Sequence, residues 1–239
     1  MCGRFTAMYT NHELTLLMNL IYHGAALPPG FWERIEARRA ATRRNRFNIA
    51  PTQDALVLTQ TAAGEPDLVE MKWGIMPAWA QKAGPCNARS ETAAGLPMFR
   101  SAFKQRRCIV PASGFYEWQK LGEKAKQPWY ITRADGRPLL FAGLYESNDK
   151  GETFTVLTTG ANEFMSAMHD RMPVVLEPER AKGWLDAPDD GLLVPASDGV
   201  LTAHPVSTRV NSPRNDDPSL VEPVQPVVQK PASGSLFDS

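Results

Sequence analysis

The chain has 239 residues, 43% hydrophobic and 9% aromatic, and its 26 basic and 26 acidic side chains give a formal net charge of zero. These values predict a globular protein that folds on its own, and they argue against an indiscriminate nucleic-acid coat. No uninterrupted apolar run approaches the roughly 18 residues of a membrane span, and the start lacks a secretory signal pattern, so we expect a cytoplasmic protein with no membrane partner.

The N-terminal sequence Met1-Cys2-Gly3-Arg4 is the first chemical feature. A small residue at position 2 favours removal of Met1, which would leave Cys2 with an α-amine and a thiol on one residue. The amine can condense with an aldehyde to an imine, and the thiol can then close a thiazolidine ring in an intramolecular step. Taken alone, this feature is weak evidence for such chemistry, because the ordinary interpretation of Cys2 is a small, buried hydrophobic residue near a trimmed terminus.

Helices are predicted at both ends of the chain. The first follows a cap at Thr10 or Asn11, with an apolar face of Leu14, Leu17, Met18 and Ile21. The second is expected from Phe31 to about Arg44, and short helices should follow Asn162 and Pro178.

Strands dominate the middle of the chain. They are expected at residues 55–59, 68–73, 107–110, 129–132, 139–142 and 153–157. Asp135-Gly136 and Asp149-Lys150-Gly151 lie between successive strands, and Asp198-Gly199 comes later; all suit turns with positive φ, and we expect hairpins at several of them. The pattern predicts an α+β fold with a mostly antiparallel, barrel-like sheet, as one domain over residues 1–221 followed by a disordered tail over 222–239.

The basic residues are unevenly distributed. One cluster is Arg34, Arg38, Arg39, Arg43, Arg44 and Arg46, and a second is Arg100, Lys104, Arg106 and Arg107. Either cluster would suit a phosphate chain, although a solvated helix surface explains the first equally well. The sequence assigns no specific role to the Arg-rich segment 34–46.

The three cysteines, Cys2, Cys86 and Cys108, are odd in number and have no paired spacing. This predicts reduced thiols rather than a disulfide framework, and Cys86 and Cys108 are interpreted as packing residues. The four histidines form no close ligand pairs with them, so no metal site is predicted.

Seven segments in order carry a family resemblance. They are Met1–Arg4, Arg46–Pro51, Trp73–Trp79, Asn87–Glu91, Arg107–Trp118, Phe141–Leu144 and His169–Val175. Together they resemble the SOS-response-associated peptidase (SRAP) family, the abasic-site processing proteins, from Cys2 to about Asn211. The resemblance implies a mixed α/β domain around an antiparallel barrel. It also implies an N-terminal cysteine that crosslinks to abasic sites in single-stranded DNA, as part of DNA damage repair.

The resemblance implies a catalytic set of Cys2, Asn87, Glu117 and His169. An abasic deoxyribose rests mainly as a closed hemiacetal, so an acid/base pair must open the ring before the amine attacks. Glu117 lies among aromatic residues that would raise its pKa by desolvation, and His169 titrates near neutral pH. Without the resemblance, Glu117 would be a surface carboxylate, His169 a structural residue and Asn87 a turn residue.

DNA contacts are expected from five residues: Arg4, Arg89 and Arg171 at phosphates, and Trp73 and Trp79 on flanking bases. The arginines would alternatively hold structural carboxylates, and the tryptophans would alternatively be buried in the core. The implied partner is single-stranded DNA containing abasic sites, with a monomeric protein that is nucleoid-associated if bacterial. No cofactor is needed.

Weak β-lyase activity is expected as a side reaction, because an imine at C1′ acidifies the C2′ proton. The family name also implies self-removal of the residue before Cys2, here Met1. Two alternatives remain open. Class II glutamine amidotransferases share the Met-Cys-Gly start, and a DNA-binding module without chemistry would leave Cys2 incidental.

Overall fold

The computed structural model describes residues 2–40, 45–122 and 125–226. The strands are β1 (Phe5–Ala7), β2 (Arg46–Ile49), β3 (Asp54–Gln60), β4 (Pro66–Trp73), β5 (Asn87–Arg89), β6 (Arg107–Ala112), β7 (Gly114–Lys120), β8 (Lys126–Arg133), β9 (Leu139–Asn148), β10 (Gly151–Gly160), β11 (Arg171–Pro173) and β12 (Leu201–Pro205). The α-helices are α1 (Asn11–Ile21), α2 (Phe31–Ala40), α3 (Ser90–Ala93), α4 (Arg100–Gln105), α5 (Glu163–Ser166) and α6 (Pro178–Asp186).

Helix α1 begins and packs as predicted. Thr10 caps it, and a reciprocal capping box joins Thr10 to Glu13, so two otherwise unpaired N–H groups are satisfied. The apolar face predicted from periodicity is buried, from Leu14 to Ile21. Helix α2 is described to Ala40; its predicted extension to Arg44 lies outside the described residues. Among the helices described here, none is long and apolar enough to cross a membrane.

A closed barrel forms the centre of the molecule, which confirms the predicted α+β class. Strands β3, β4, β10, β9 and β6 pair in a ring, because β9 returns to pair with β10. Most pairs are antiparallel, but β10 runs parallel to β4 and to β5. The parallel pairing with β5 attaches Asn87 beside Val156, at the edge of the barrel.

A second sheet packs against the barrel in the order β12-β8-β7-β1-β2. In this sheet β1 pairs antiparallel with β7, with Phe5 opposite Phe115. Phe5 also contacts Trp73 and Phe141 of the barrel strands, with ring centroids 5.0 and 6.2 Å apart. These aromatic contacts fix the N-terminal segment between the two sheets.

One predicted hairpin is confirmed and one is wrong. The turn Asp149–Gly151 joins β9 and β10, which pair antiparallel, and Gly151 has a φ of 105°. Asp135-Gly136 also forms a turn with a φ of 76° at Gly136, but it joins strands of different sheets. Strand β8 already pairs with β7 on one edge and β12 on the other, so it has no free edge for β9.

The packed chain extends past residue 221. Pro223 forms a bridge with Val206, and the backbone N–H of Val224 donates to the carbonyl of Pro205 at 2.9 Å. The predicted start of the tail at residue 222 is therefore too early, and residues 227–239 lie outside the described part of the chain.

Candidate functional site

Cys2 lies between the two sheets and is completely buried. The pairing of Phe5 with Phe115 continues one step further, because the Tyr116 N–H donates to the Arg4 carbonyl at 3.0 Å. Extending this antiparallel register places Gly3 opposite Glu117. The strand pairing thus brings the N-terminal cysteine beside a carboxyl group that is 115 positions away in the chain.

Asn87, the first residue of β5, holds the cysteine from the barrel side. Its side-chain Nδ2 donates to the Cys2 carbonyl at 2.6 Å. Its Oδ1 is buried and accepts no hydrogen bond from the described residues. A buried acceptor without a donor is uncommon, so this oxygen is suited to accept a hydrogen bond from an N–H or O–H group of a bound molecule.

Glu117 on β7 is 2% exposed. Burial raises the pKa of its carboxyl group, and the nearby charge of His169 opposes that rise. The desolvation predicted from the surrounding aromatic residues is therefore present. A carboxyl group with a raised pKa retains a proton closer to neutral pH than an exposed one, and can then act as an acid.

His169 follows α5, and its backbone N–H donates to the Met165 carbonyl at 2.9 Å. Two groups compete for its Nδ1 atom: the Arg171 N–H at 3.0 Å and the Asp170 Oδ1 at 2.7 Å. The amide contact needs an unprotonated Nδ1 and the carboxylate contact needs a proton there. A ring without a hydrogen on Nδ1 therefore accepts from Arg171, and a ring with a hydrogen on Nδ1 donates to Asp170.

The thiols are held in their neutral form. Burial raises the pKa of Cys2 well above its ordinary value, and the neighbouring Glu117 carboxylate adds to this. Burial also raises the pKa of Cys86, whose Sγ lies 3.6 Å from Asn87 Nδ2. Cys108 is fully buried in the core, as predicted for a packing residue.

Glu117 and His169 line the same cavity, which has a volume of about 570 Å³ and is open to solvent. The other lining residues are Trp118, Lys120, Lys126, Ser166, Ala167, Met168 and Asp170. The structure therefore brings together the four residues of the predicted catalytic set: Cys2 and Asn87 by a hydrogen bond, and Glu117 and His169 by a common cavity.

The two tryptophans predicted to stack on bases have opposite environments. Trp73 is fully buried between Phe5 and Phe154, and its Nε1 donates to the Cys86 carbonyl at 2.7 Å. A ring with no exposed face cannot stack on a base, so the prediction for Trp73 is wrong and its role is in the core. Trp79 is 61% exposed and retains an accessible face.

The arginines predicted to contact phosphates also differ. Arg4 donates to the Asn48 side chain and to the carbonyls of Val210 and Asn211. Arg171 makes a two-point ion pair with Glu91, at 2.6 and 2.8 Å, and lowers the pKa of that carboxyl. Both guanidinium groups therefore hold the protein together. Arg89 is exposed on β5.

Several described arginines of the two basic clusters are bound to protein acceptors, and the side chains of Arg38 and Arg39 lie outside the described part of the chain. Arg107 is buried and donates to four backbone carbonyls, and Arg106 pairs with Glu146 at 2.8 Å. Arg46 pairs with Asp216 at 2.8 Å, and Arg34 donates to the Pro29 carbonyl. Arg43 and Arg44 lie outside the described residues. Half of the second cluster is thus structural, because a buried guanidinium group must use its donors on protein acceptors.

Sequence reasoning missed Trp118, Lys120, Lys126 and Asp170, which line the cavity. The positions of the two lysines in the sequence could have indicated that they lie near Glu117. Lys120 ends the strand that carries Glu117, and Lys126 begins the strand that pairs with it. Sequence reasoning also assigned no role to the Asn148–Gly151 turn. There Lys150 Nζ donates to the carbonyls of Ala78 and Ala80, on either side of Trp79, at 2.6 and 2.7 Å.

Residues 1–213 match the family model of the SOS response associated peptidase (SRAP). The chain is 36% identical over 237 residues to the abasic site processing protein YoqW of Bacillus subtilis (strain 168), covering 93% of this chain and 99% of that protein. It is 35% identical over 236 residues to the abasic site processing protein YedK of Escherichia coli (strain K12), covering 94% and 100%. It is 33% identical over 222 residues to the abasic site processing protein HMCES of Xenopus tropicalis, covering 73% and 65%.

Solved structures are similar in fold. A crystal structure of a protein from Bacteroides thetaiotaomicron aligns with a TM-score of 0.74 at 23% identity, covering 94% of this chain and all of the other. A protein from Bordetella bronchiseptica aligns with a TM-score of 0.66, covering 86% of this chain and all of the other.

Proposed function

The chain belongs to the SOS response associated peptidase family, and from this premise we propose that it captures abasic sites in single-stranded DNA. In this proposal, Cys2 becomes the N-terminal residue and forms a thiazolidine with the ring-opened aldehyde of the abasic sugar. The adduct shields the site from strand cleavage.

The observation that carries the proposal is the convergence of Cys2, Asn87 and Glu117. Asn87 fixes the Cys2 carbonyl at 2.6 Å, and Glu117 lies near enough to raise the pKa of the Cys2 thiol. A buried cysteine beside a carboxyl group that lines an open cavity is an arrangement that covalent capture can use. A purely DNA-binding module has no need of it.

The first step is opening of the sugar ring. The C1′ hydroxyl of the hemiacetal loses its proton while the ring oxygen gains one, so one donor and one acceptor must face the sugar. Glu117 and His169 line one cavity and are assigned these two roles. The buried Oδ1 of Asn87 accepts a hydrogen bond from the sugar or from the Cys2 amine.

The second step joins protein and DNA. The unprotonated Cys2 amine attacks C1′, and loss of one water gives an imine. The thiol then adds across the C=N bond: sulfur bonds to C1′ and the thiol proton goes to nitrogen. The raised pKa of the Cys2 thiol favours attack by the amine before attack by sulfur. A neutral thiol is a weak nucleophile, and it adds once the more reactive C=N bond lies beside it.

Two further activities are assigned to the same imine and terminus. Removal of the C2′ proton from the imine would break the strand by β-elimination, and ring closure by sulfur competes with that step. We expect it only as a slow side reaction. Removal of Met1 is assigned to maturation of Cys2, without activity on other proteins.

The test is intact mass spectrometry of the protein after incubation with a single-stranded oligonucleotide that contains one abasic site. The expected mass is the sum of the protein without Met1 and the oligonucleotide, less one water. Cys2→Ala should give no such adduct, whereas Cys86→Ser, a matched loss of a neighbouring thiol, should still give it.

A wild-type protein with a free Cys2 terminus and no adduct would overturn the proposal. Release of glutamate from glutamine by that protein would point instead to amidotransferase-like hydrolysis. A variant with Met1 retained should bind intact single-stranded DNA as the wild type does, and should form no adduct.

A further inference from the structure

Lys120 and Lys126 form a like-charged pair at the rim of the cavity that holds Glu117 and His169. They end β7 and begin β8, lie directly opposite each other in the antiparallel register, and are both exposed. Both line the cavity. Like charges placed directly across two strands destabilise a sheet, so an unbalanced pair at this position needs an explanation.

The described surroundings do not neutralise the pair. Within the described chain, neither ammonium group makes an ion pair or a side-chain hydrogen bond. Residues 123 and 124 lie outside the described part of the chain. The acidic groups that line the cavity are Glu117, whose burial favours its neutral form, and Asp170, which lies 2.7 Å from His169 Nδ1.

The arginines expected at phosphates are largely committed elsewhere. Arg4 donates to three protein acceptors, and Arg171 is paired with Glu91. A DNA strand that places a sugar against Glu117 must bring a neighbouring phosphate to the cavity rim. Arg89 is exposed but is not among the residues that line this cavity, whereas Lys120 and Lys126 both line it.

We propose that Lys120 and Lys126 together bind one phosphodiester group next to the abasic nucleotide. The pair acts as a site for a single phosphate and sets the position of the strand relative to Glu117 and His169. Ammonium groups suit this role, because each provides a point charge with freely rotating donors. This inference rests on the proposed function, since it assigns a subsite of the same cavity.

The test uses oligonucleotides in which one phosphodiester beside the abasic site is replaced by an uncharged methylphosphonate, on the 5′ or the 3′ side. With wild-type protein, one of the two replacements should raise the half-saturating DNA concentration for crosslinking by about 1.4- to fivefold, the range for exposed ion pairs. In Lys120→Ala/Lys126→Ala, that same replacement should have no further effect.

Three controls complete the design. Lys120→Arg/Lys126→Arg keeps both charges and should restore the methylphosphonate effect. Lys104→Ala removes an exposed lysine of α4 that does not line the cavity, and should behave as the wild type. The slope of log affinity against log salt for intact single-stranded DNA should be smaller by about 0.7 in the double alanine variant, as for one lost phosphate contact.

The outcomes separate this inference from the proposed function. If the wild type crosslinks and the double alanine variant retains the full methylphosphonate effect, the phosphate subsite is wrong and covalent capture stands. An effect of Lys104→Ala equal to that of the double variant would also overturn the subsite, because it would show general attraction by surface charge. If the wild type forms no adduct, the proposed function fails, and the salt slope still tests the lysines.

Discussion

Replacement of Asn87 by alanine should separate stability from activity. The change removes the 2.6 Å hydrogen bond to the Cys2 carbonyl, a bond worth about 0.5–1.5 kcal/mol, and leaves that carbonyl without its amide donor. It also removes the buried Oδ1, whose desolvation without a partner costs about 1–3 kcal/mol. The opposing contributions nearly cancel, so we expect the free energy of unfolding to change by less than about 1.5 kcal/mol.

The rate should change far more. In the proposed function, Asn87 holds the residue that carries both nucleophilic atoms, and a misplacement of about 1 Å costs roughly 100-fold in rate. We therefore expect about a 100-fold slower single-turnover crosslinking rate at saturating DNA. Urea unfolding gives the stability, and intact mass spectrometry against time gives the rate.

Asn87→Asp is the matched control for this prediction. It keeps the shape of the side chain but places an acceptor against the Cys2 carbonyl oxygen, so it should lose both stability and rate at neutral pH. The reasoning is refuted if Asn87→Ala crosslinks at the wild-type rate. It is also refuted if the variant loses more than about 3 kcal/mol of stability, as expected for a fully bonded structural residue.

Three further predictions concern Glu117, Arg107 and Lys150. Burial raises the pKa of Glu117, so the stability that its protonated carboxyl group contributes is full below the ordinary pKa of about 4.3 and is lost as pH rises through the folded-state pKa. Glu117→Gln should therefore be more stable than the wild type at neutral pH. Urea unfolding at a series of pH values should show that this difference vanishes in acid. Arg107→Met removes four hydrogen bonds from a buried guanidinium group and should cost at least about 3 kcal/mol in urea unfolding, whereas a DNA-binding role would lower affinity without this loss. Lys150→Met frees the carbonyls on either side of Trp79, so hydrogen exchange over residues 76–82 should become faster with a stability change below about 1 kcal/mol; unchanged exchange would show that Lys150 does not hold this loop.

Features that depend on local chemistry could be predicted from the sequence. The capping box at Thr10 and the apolar period of α1 lie within one helix, so the prediction needed no tertiary information. The turn at Asp135-Gly136 was also predicted from local chemistry, and a positive φ is present at Gly136. Its strands pair elsewhere because β8 has both edges occupied, and edge occupancy is a property of the whole sheet.

The hydrogen-bond partners of the arginine side chains could not be predicted in the same way. Arg4 is held by the Val210 carbonyl, which is 206 positions away, and Arg171 by Glu91, which is 80 positions away. The motifs indicate that such arginines matter, but not whether a phosphate or a protein acceptor receives their donors. The burial of Trp73 could not be predicted for the same reason. Its apolar strand is evident in the sequence, but the rings of Phe5 and Phe154 that cover it come from distant segments.

The burial of Cys2 places a limit on when the protein can mature. Cys2 is closed in by Asn87 and by the strand that pairs with β1, which ends at Lys120. A separate enzyme that removes Met1 needs an extended terminus, so its access is greatest before these later segments have been synthesised and have folded. At about 5–20 residues per second, the ribosome reaches residue 120 in roughly 6–24 s. If Cys2 acts as proposed, removal of Met1 is thus expected to be cotranslational, and a chain that keeps Met1 past this interval would fold with the Cys2 amine blocked.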